Sequence, residues 1–113
     1  MVRLLGIDPG LRFTGWGLIE ADGNRLRHRA DGVIATDAAV SVPDRLRALH
    51  DALAALLGEY QPDEAAVEET YVNRSGSATL KLGYARCVAL LAPALAGIPI
   101  TECAHKSVKL AVV

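Results

Sequence analysis

The chain has 113 residues, of which 51% are hydrophobic, and its formal net charge is −1. This length fits one soluble domain spanning residues 1–113, and the near-neutral balance excludes strong non-specific coating of DNA. Arg3 and Asp8 interrupt the region where a signal peptide would need an unbroken apolar run, and we expect no membrane-spanning segment. Two cysteines without metal-ligand or redox spacing indicate reduced thiols in the cytoplasm.

Charge is divided unevenly along the chain. Residues 1–69 contain seven Lys or Arg and twelve Asp or Glu, whereas residues 70–113 contain five Lys or Arg and one acid, Glu102. This division predicts an acidic surface that can bind metal ions next to a basic surface that can bind a polyanion. Solvated charge on ordinary helices would give a similar division.

The first predicted element is an apolar strand over residues 2–7 that delivers Asp8 into a Pro-Gly turn. A second strand follows over residues 13–20, in which Gly15 and Gly17 remove side chains so that a ligand or backbone can approach Asp8. The alternative is an aspartate that only caps its own turn.

The next two predicted elements are a strand and a helix. Residues 25–35 alternate polar and apolar side chains, which is typical of a strand at a sheet edge. Ser41 then favours a helix N-cap, with Pro43 in the first turn. Leucines recur at helical spacing up to Leu57, and we expect Gly58 to end the helix.

Residues 64–69 form a short predicted strand that ends in two acids, Glu68 and Glu69. If this strand is the parallel neighbour of the first, Asp8 and one glutamate meet at the carboxyl edge of the sheet. Alternation puts the two glutamates on opposite faces, and the pattern does not decide between them. Such an oxygen-only pair suits Mg²⁺ or Mn²⁺. A solvated strand end is the alternative.

The remaining predicted elements are a second helix over residues 77–96, a fifth strand over residues 98–100 and the start of a third helix over residues 104–113. The second helix is apolar on nearly every side, which predicts that it packs on the sheet and also against a partner subunit. One of its faces carries Leu80, Tyr84, Cys87, Val88, Leu91 and Leu95.

This order of elements, together with its motifs, closely resembles the RuvC family of Holliday junction resolvases. The resemblance implies an α/β, ribonuclease H-like fold, in which helices pack on a five-stranded mixed sheet. The matching motifs are Gly6-Ile7-Asp8-Pro9-Gly10, Thr14-Gly15-Trp16-Gly17, Val67-Glu68, Thr79-Leu80-Lys81-Leu82-Gly83-Tyr84-Ala85-Arg86 and Lys106-Ser107-Val108-Lys109.

The resemblance implies that Asp8 and Glu68 are the catalytic, metal-binding acids, which selects Glu68 over Glu69. It also implies a junction-contacting loop that contains Tyr71, Asn73 and Arg74, and a lysine near the catalytic centre at Lys109. We expect Tyr71 to stack on an exposed base, with Arg74 and Lys81 on phosphates.

The activity implied by the resemblance is hydrolysis of DNA phosphodiesters at four-way junctions, with two Mg²⁺ ions that Mn²⁺ can replace. The implied assembly is a cytoplasmic homodimer that works with a branch-migration helicase. Members of the family carry two further metal-binding acids on a C-terminal helix. This sequence reaches Val113 without a residue that matches them, and we therefore expect no cleavage by these 113 residues alone.

Two other classes of function remain open from the residues. A similar Asp-x-Gly turn binds nucleotide phosphates through magnesium in sugar-kinase and chaperone ATPases, although a second phosphate loop is not evident in this sequence. The chain can also be a non-catalytic DNA-interaction module that uses its basic helix and aromatic loop.

Overall fold

The computed structural model describes residues 1–69 and 76–103, which form five strands and two helices in the predicted order. The strands are β1 (Val2–Asp8), β2 (Phe13–Asp22), β3 (Arg25–Ala35), β4 (Glu64–Glu68) and β5 (Ile100–Cys103), and the helices are α1 (Val42–Tyr60) and α2 (Gly76–Leu95). The third helix predicted over residues 104–113 lies outside the described residues.

The five strands form one mixed sheet in the order β3-β2-β1-β4-β5. β1, β2 and β3 are antiparallel neighbours, while β4 runs parallel to β1 and β5 runs parallel to β4. β3 therefore lies at an edge, as its mixed pattern predicts. The parallel pairing of β1 with β4 brings the carboxyl ends of these two strands to the same edge of the sheet.

The hydrophobic core lies on one face of the sheet, beneath the two helices. Leu5 and Ile7 of β1 point to this face, and their partners in β2 and β4 point the same way because registered residues share a face. Alternate residues of β1, Gly6 and Asp8 among them, point to the opposite face. The side chains buried together in the core include Leu5, Ile7, Trp16, Leu18, Leu49, Leu53, Leu57, Val67, Ala85, Ala89 and Ala92.

Helix α1 begins as predicted but ends later. The hydroxyl of Ser41 accepts a hydrogen bond from the backbone N–H of Asp44 at 3.3 Å, which satisfies one of the free donors of the first turn. The expected end at Gly58 is wrong. The helix continues to Tyr60 because the stop is made by Gln61, whose left-handed backbone (φ 45°) lets its N–H bond to the carbonyl of Leu57.

Helix α2 buries three of its alanines and exposes several of its leucines. Ala85, Ala89 and Ala92 are buried, because their size lets the helix approach α1 and the sheet closely. Leu91 and Leu95 on the outer side are 51% and 68% exposed. By length and composition α2 is long and apolar enough to cross a membrane, a test that the core helices of soluble proteins also pass.

Strand β5 is displaced from the predicted residues 98–100 and runs over Ile100–Cys103. Pro99 has no N–H to donate to a ladder, so the strand begins after it. The carbonyl of Pro99 still accepts a hydrogen bond from Ala65 at 2.9 Å, and the N–H of Ile98 donates to the carbonyl of Pro93 at 3.0 Å. These bonds position the entry of β5 beside β4.

Candidate active site

The last residue of β1 is Asp8, and its surroundings keep space open beside the carboxylate. Asp8 is half-buried and is paired with Gly15 of β2. Gly15 has no side chain, so the neighbouring position on the β2 side leaves the carboxylate accessible. This is the arrangement that the two glycines of the second strand predict.

The turn after Asp8 is fixed by hydrogen bonds of Thr14 and by close packing around Gly10. The hydroxyl of Thr14 donates to the carbonyl of Gly10 at 2.7 Å and accepts from the N–H of Gly10 at 3.2 Å. A Cβ atom at Gly10 would overlap the carbonyl oxygen of Phe13. Glycine is therefore required where the chain folds back, and the turn holds Asp8 at a fixed place relative to β2.

Glu68 is the last residue of β4 and lies beside Asp8 across the parallel pair. The register pairs Ile7 with Val67, so the next residue on each strand is an acid. Both side chains point to the face opposite the core, because Ile7 and Val67 point into it. Parallel strands lie about 4.8 Å apart, which brings the two carboxylates together at one edge of the sheet.

Glu68 and Glu69 have different environments. Glu68 is only 3% exposed, and a carboxylate is buried at a large free-energy cost unless charged or polar groups interact with it. Glu69 is half-buried, and its N–H donates to the carbonyl of Cys103 at 2.7 Å. Glu69 lies one residue past the end of β4, whereas Glu68 directly follows the registered pair of Ile7 and Val67. The register thus brings Glu68, and not Glu69, together with Asp8.

Cys103 is the partner of Glu68 in β5 and does not add a charge to this edge at neutral pH. Burial, and secondarily the negative charge of Glu69, raises the pKa of the Cys103 thiol above its ordinary value of 9.0. The thiol is therefore protonated at neutral pH, and its sulfur lies 3.8 Å from the carbonyl oxygen of Val67. A neutral thiol leaves the donor set at this edge to carboxylate oxygens.

The donors that meet here fit a hard divalent cation. Residues 1–69 and 76–103 contain no group of three or more His, Cys, Asp or Glu placed to hold a metal. Asp8 and Glu68 are two carboxylates at this edge, and carboxylate oxygens are the ligands that Mg²⁺ and Mn²⁺ prefer. Water and substrate phosphate commonly complete the coordination of Mg²⁺ when a protein supplies one or two carboxylates.

The predicted DNA-contacting residues are only partly described. Lys81 lies in the second turn of α2 and is exposed. Tyr71, Asn73, Arg74 and Lys109 lie outside the described residues. Arg12 and Phe13, which are two exposed residues near Asp8, were not singled out in the sequence analysis. Phe13 lies two positions before Gly15 in a strand, and this spacing was the available sign that it shares the face of Asp8.

The fold and these residues together define a ribonuclease H-like α/β domain with two acids at neighbouring strand ends. A family model described as crossover junction endodeoxyribonuclease RuvC matches residues 4–113. The chain therefore belongs to the RuvC family, and the predicted fold class is confirmed. This membership decides against the sugar-kinase and chaperone ATPase alternative.

Individual relatives agree with this assignment. Two proteins named crossover junction endodeoxyribonuclease RuvC, from Granulibacter bethesdensis and Gluconacetobacter diazotrophicus, are 76% and 71% identical over 112 and 113 residues. Those alignments cover 99% and 100% of this chain and 63% and 67% of the relatives. The chain thus spans about two thirds of their length.

The structure is also similar to a solved RuvC. The structure described as T. thermophilus RuvC in complex with Holliday junction substrate superposes with a TM-score of 0.87 at 27% identity. The match covers 96% of this chain and 67% of that chain. The described strands and helices therefore have the arrangement found in that protein.

Proposed function

We propose that the protein is a crossover junction endodeoxyribonuclease that cuts four-way DNA junctions in recombination and repair. The observation that carries this proposal is the pair Asp8 and Glu68, which the register of β1 and β4 brings to one edge of the sheet in a chain of the RuvC family. The junction is proposed as substrate because the T. thermophilus relative is described in complex with one.

Asp8 and Glu68 are proposed to hold Mg²⁺, with Mn²⁺ as a substitute. When bound, a pair of divalent cations lowers the pKa of the attacking water and stabilises charge on the leaving oxygen. Asp8 is the acid that the turn orients and Gly15 leaves accessible. Glu68, which is buried, keeps its carboxylate in one orientation. Two ions close together require more anionic oxygens than two carboxylates provide, because their mutual repulsion must be offset.

The proposed contacts with DNA are made by positive and aromatic side chains around this edge. Lys81 is exposed on α2 and would bind a phosphate. Tyr71 is proposed to stack on an exposed base, with Asn73 and Arg74 in the same loop and Lys109 near the acids. These assignments rest on the resemblance of the motifs to those of the family.

A homodimer is proposed to form through the outer face of α2. Leu80, Leu91 and Leu95 are more than half exposed there, and burial of such side chains favours association. A two-fold dimer matches the symmetry of a four-way junction and would place one acidic pair at each of two opposing strands.

A branch-migration helicase is a proposed further partner, and the cytoplasm, where bacterial DNA lies, is the proposed location.

Cleavage of a synthetic four-way junction tests the proposed function. We suggest a chimera in which residues 1–113 are followed by the C-terminal third of the Granulibacter relative, assayed beside the 113-residue chain. The chimera is expected to nick the junction symmetrically in Mg²⁺, to leave linear duplex of the same sequence intact, and to stop in EDTA. Junction binding without cleavage by a folded, dimeric chimera in Mg²⁺ or Mn²⁺ would instead support the non-catalytic DNA-interaction module.

A further inference from the structure

An exposed cation and an exposed aromatic ring lie together directly after the Asp8 turn. Phe13, the first residue of β2, is 57% exposed. The guanidinium carbon of Arg12, which is also exposed, lies 5.4 Å from the centre of the Phe13 ring. This is a cation–π distance, so the ring limits the orientations of the guanidinium. We call these two residues the Arg12–Phe13 pair.

The register puts the ring on the same face of the sheet as the Asp8 carboxylate. Gly15 pairs with Asp8, and Phe13 lies two residues earlier in β2, so their side-chain directions coincide. Val33, the β3 partner of Gly15, shares this face and is 65% exposed. The alternate residue Thr14 is fully buried on the core side. The Asp8 face thus continues from the acids into a cationic and apolar surface.

The loop that carries the Arg12–Phe13 pair is fixed by hydrogen bonds. The backbone N–H of Thr36 donates to the carbonyl of Arg12 at 3.0 Å, and the Thr36 hydroxyl donates to the carbonyl of Leu11. Nε of Arg45, a buried residue in the first turns of α1, donates to the same hydroxyl at 2.9 Å. The pair is therefore displayed by a loop that Thr36, directly after β3, and Arg45 of α1 hold in place.

The positive charge of Arg12 can offset the repulsion between the nearby acids and DNA phosphates. Asp8 and Glu68 repel the phosphates of an approaching strand, and a cation at the same edge offsets this repulsion. A guanidinium is suited to this because its planar fork matches phosphate oxygens. An aromatic ring next to it offers a flat apolar surface to a base or sugar, as in single-strand binding sites.

We propose that the Arg12–Phe13 pair is a DNA-strand-binding subsite. Arg12 binds a backbone phosphate near the phosphodiester held at Asp8, and Phe13 packs on the sugar and base of the same nucleotide. Phe13 precedes Gly15, the partner of Asp8, by two residues, and two residues of a strand span about 6.6 Å. Both contacts are therefore close to the acids. The proposal rests on the proposed junction-cutting function and adds a second binding element to it.

Binding and cleavage by the chimera, with single substitutions in the pair, test this proposal. Arg12→Gln, Phe13→Ala and Phe13→Leu are compared with Arg25→Gln and Leu26→Ala as matched controls. Arg25 and Leu26 are also adjacent and exposed, but they lie at the start of β3, at the other end of the sheet from Asp8. Binding to a four-way junction is measured without cleavage in EDTA at several salt concentrations, and thermal melting checks folding.

Arg12→Gln is expected to raise the Kd by about 5- to 20-fold and to make the salt dependence shallower by about one counterion. Phe13→Ala is expected to raise the Kd by at least about 5-fold, with Phe13→Leu in between, because a leucine keeps apolar area but has no flat face. In cleavage assays, KM should rise more than kcat falls. The two control variants should bind like the unsubstituted chimera.

Unchanged binding and KM for Arg12→Gln and both Phe13 variants would overturn the proposal. A large fall in melting temperature for Phe13→Ala, with unchanged binding per folded molecule, would also overturn it and would indicate that a protein segment covers Phe13. Failure of the proposed function gives a different result, since the unsubstituted chimera would then not cut the junction, whatever the effect of the substitutions on binding.

Discussion

Asp8 and Gly15 face each other as the last registered pair between β1 and β2, so the carboxylate has no side chain beside it on that strand. On its other side lies β4, whose last registered pair with β1 is Ile7 and Val67, and Asp8 and Glu68 are the next residues on these two strands. An open glycine on one strand and a second acid on the other make this edge accessible to a cation and to phosphate.

Asp8→Asn should abolish metal-dependent cleavage by the chimera while leaving the fold intact. The amide has nearly the same shape as the carboxylate but no negative charge, so it cannot hold a divalent cation as strongly. We expect the cleavage rate at four-way junctions to fall by at least about 100-fold, with a nearly unchanged melting temperature. Wild-type cleavage by this variant would show that Asp8 is not a metal ligand.

Glu69→Gln is the matched control for Glu68→Gln. Glu69 lies past the end of β4 and outside its register with β1, so its loss of charge should change the cleavage rate by less than about threefold. Glu68→Gln should reduce cleavage nearly as much as Asp8→Asn. If the two glutamine variants exchanged these effects, the assignment of the second acid would be wrong.

Gly10→Ala should impair both stability and cleavage. An added Cβ overlaps the carbonyl oxygen of Phe13, and backbone atoms cannot move aside as a flexible side chain can. We expect a loss of about 1–3 kcal/mol in the free energy of unfolding, measured by urea denaturation. Cleavage per folded molecule should fall as well, because the same turn positions Asp8. A stable and fully active Gly10→Ala variant would contradict the packing described for the turn.

Replacing Gly32 and Gly58 by alanine should change the stability of the protein in opposite directions. A Cβ at Gly32 would lie 2.9 Å from atoms of the Trp16 ring, whereas a Cβ at Gly58 meets nothing within 4 Å. Gly32→Ala should therefore destabilise the protein by about 1–3 kcal/mol. Gly58→Ala should stabilise it by about 0.5–1 kcal/mol, since alanine favours a helix interior. Urea denaturation of both variants measures these changes, and a loss of stability in Gly58→Ala would show that α1 does not continue past this residue.

Leu91→Asp should disrupt the proposed dimer without unfolding the monomer. Leu91 is 51% exposed in the described structure, so a charge there costs little in one subunit but a great deal inside an apolar interface. Sedimentation equilibrium should show a dimer for the unsubstituted chimera and a monomer for this variant. Leu26→Asp serves as control, because Leu26 is 72% exposed on β3. Equal association of all three proteins would place the interface elsewhere.

Cys103 should make the stability of the protein depend on pH in the alkaline range. Its pKa is raised in the folded state above the ordinary 9.0, first by burial and then by Glu69, so the folded state retains the thiol proton to a higher pH. The resulting contribution is fully present below pH 9 and is lost as pH rises through the folded pKa. Cys103→Ala should therefore lose less stability than the unsubstituted protein between pH 8 and pH 10.

The matched control for this measurement is Cys87→Ala, since Cys87 is exposed on α2. Its stability should decline with pH in parallel with that of the unsubstituted protein. Titration of other groups in this range affects all three proteins equally, so only the difference between the variants is informative. Parallel curves for Cys103→Ala would show that the Cys103 pKa is not raised in the folded state.

The elements that could be predicted from the sequence are those specified by residues close together in the chain. The apolar run before Asp8, the alternation in β3 and the Ser41 cap each depend on neighbouring residues, and these elements are found where they were predicted. Two of the misplaced ends, the end of α1 and the start of β5, depended on particular residues beyond the predicted boundary. Gln61 ended α1 three positions after Gly58, and Pro99 delayed β5.

Tertiary structure alone decided which residues meet. The sequence showed that Asp8 and two glutamates end strands, but strand order and register brought Glu68 to Asp8, because a parallel pair aligns residues that are 60 positions apart. The same holds for α2, whose periodicity showed two apolar faces without indicating which would be buried. The alanine face packs inward because small side chains allow close approach of the helix, whereas the Phe13 ring lies outward on the Asp8 face because pleating, and not hydrophobicity, sets its direction.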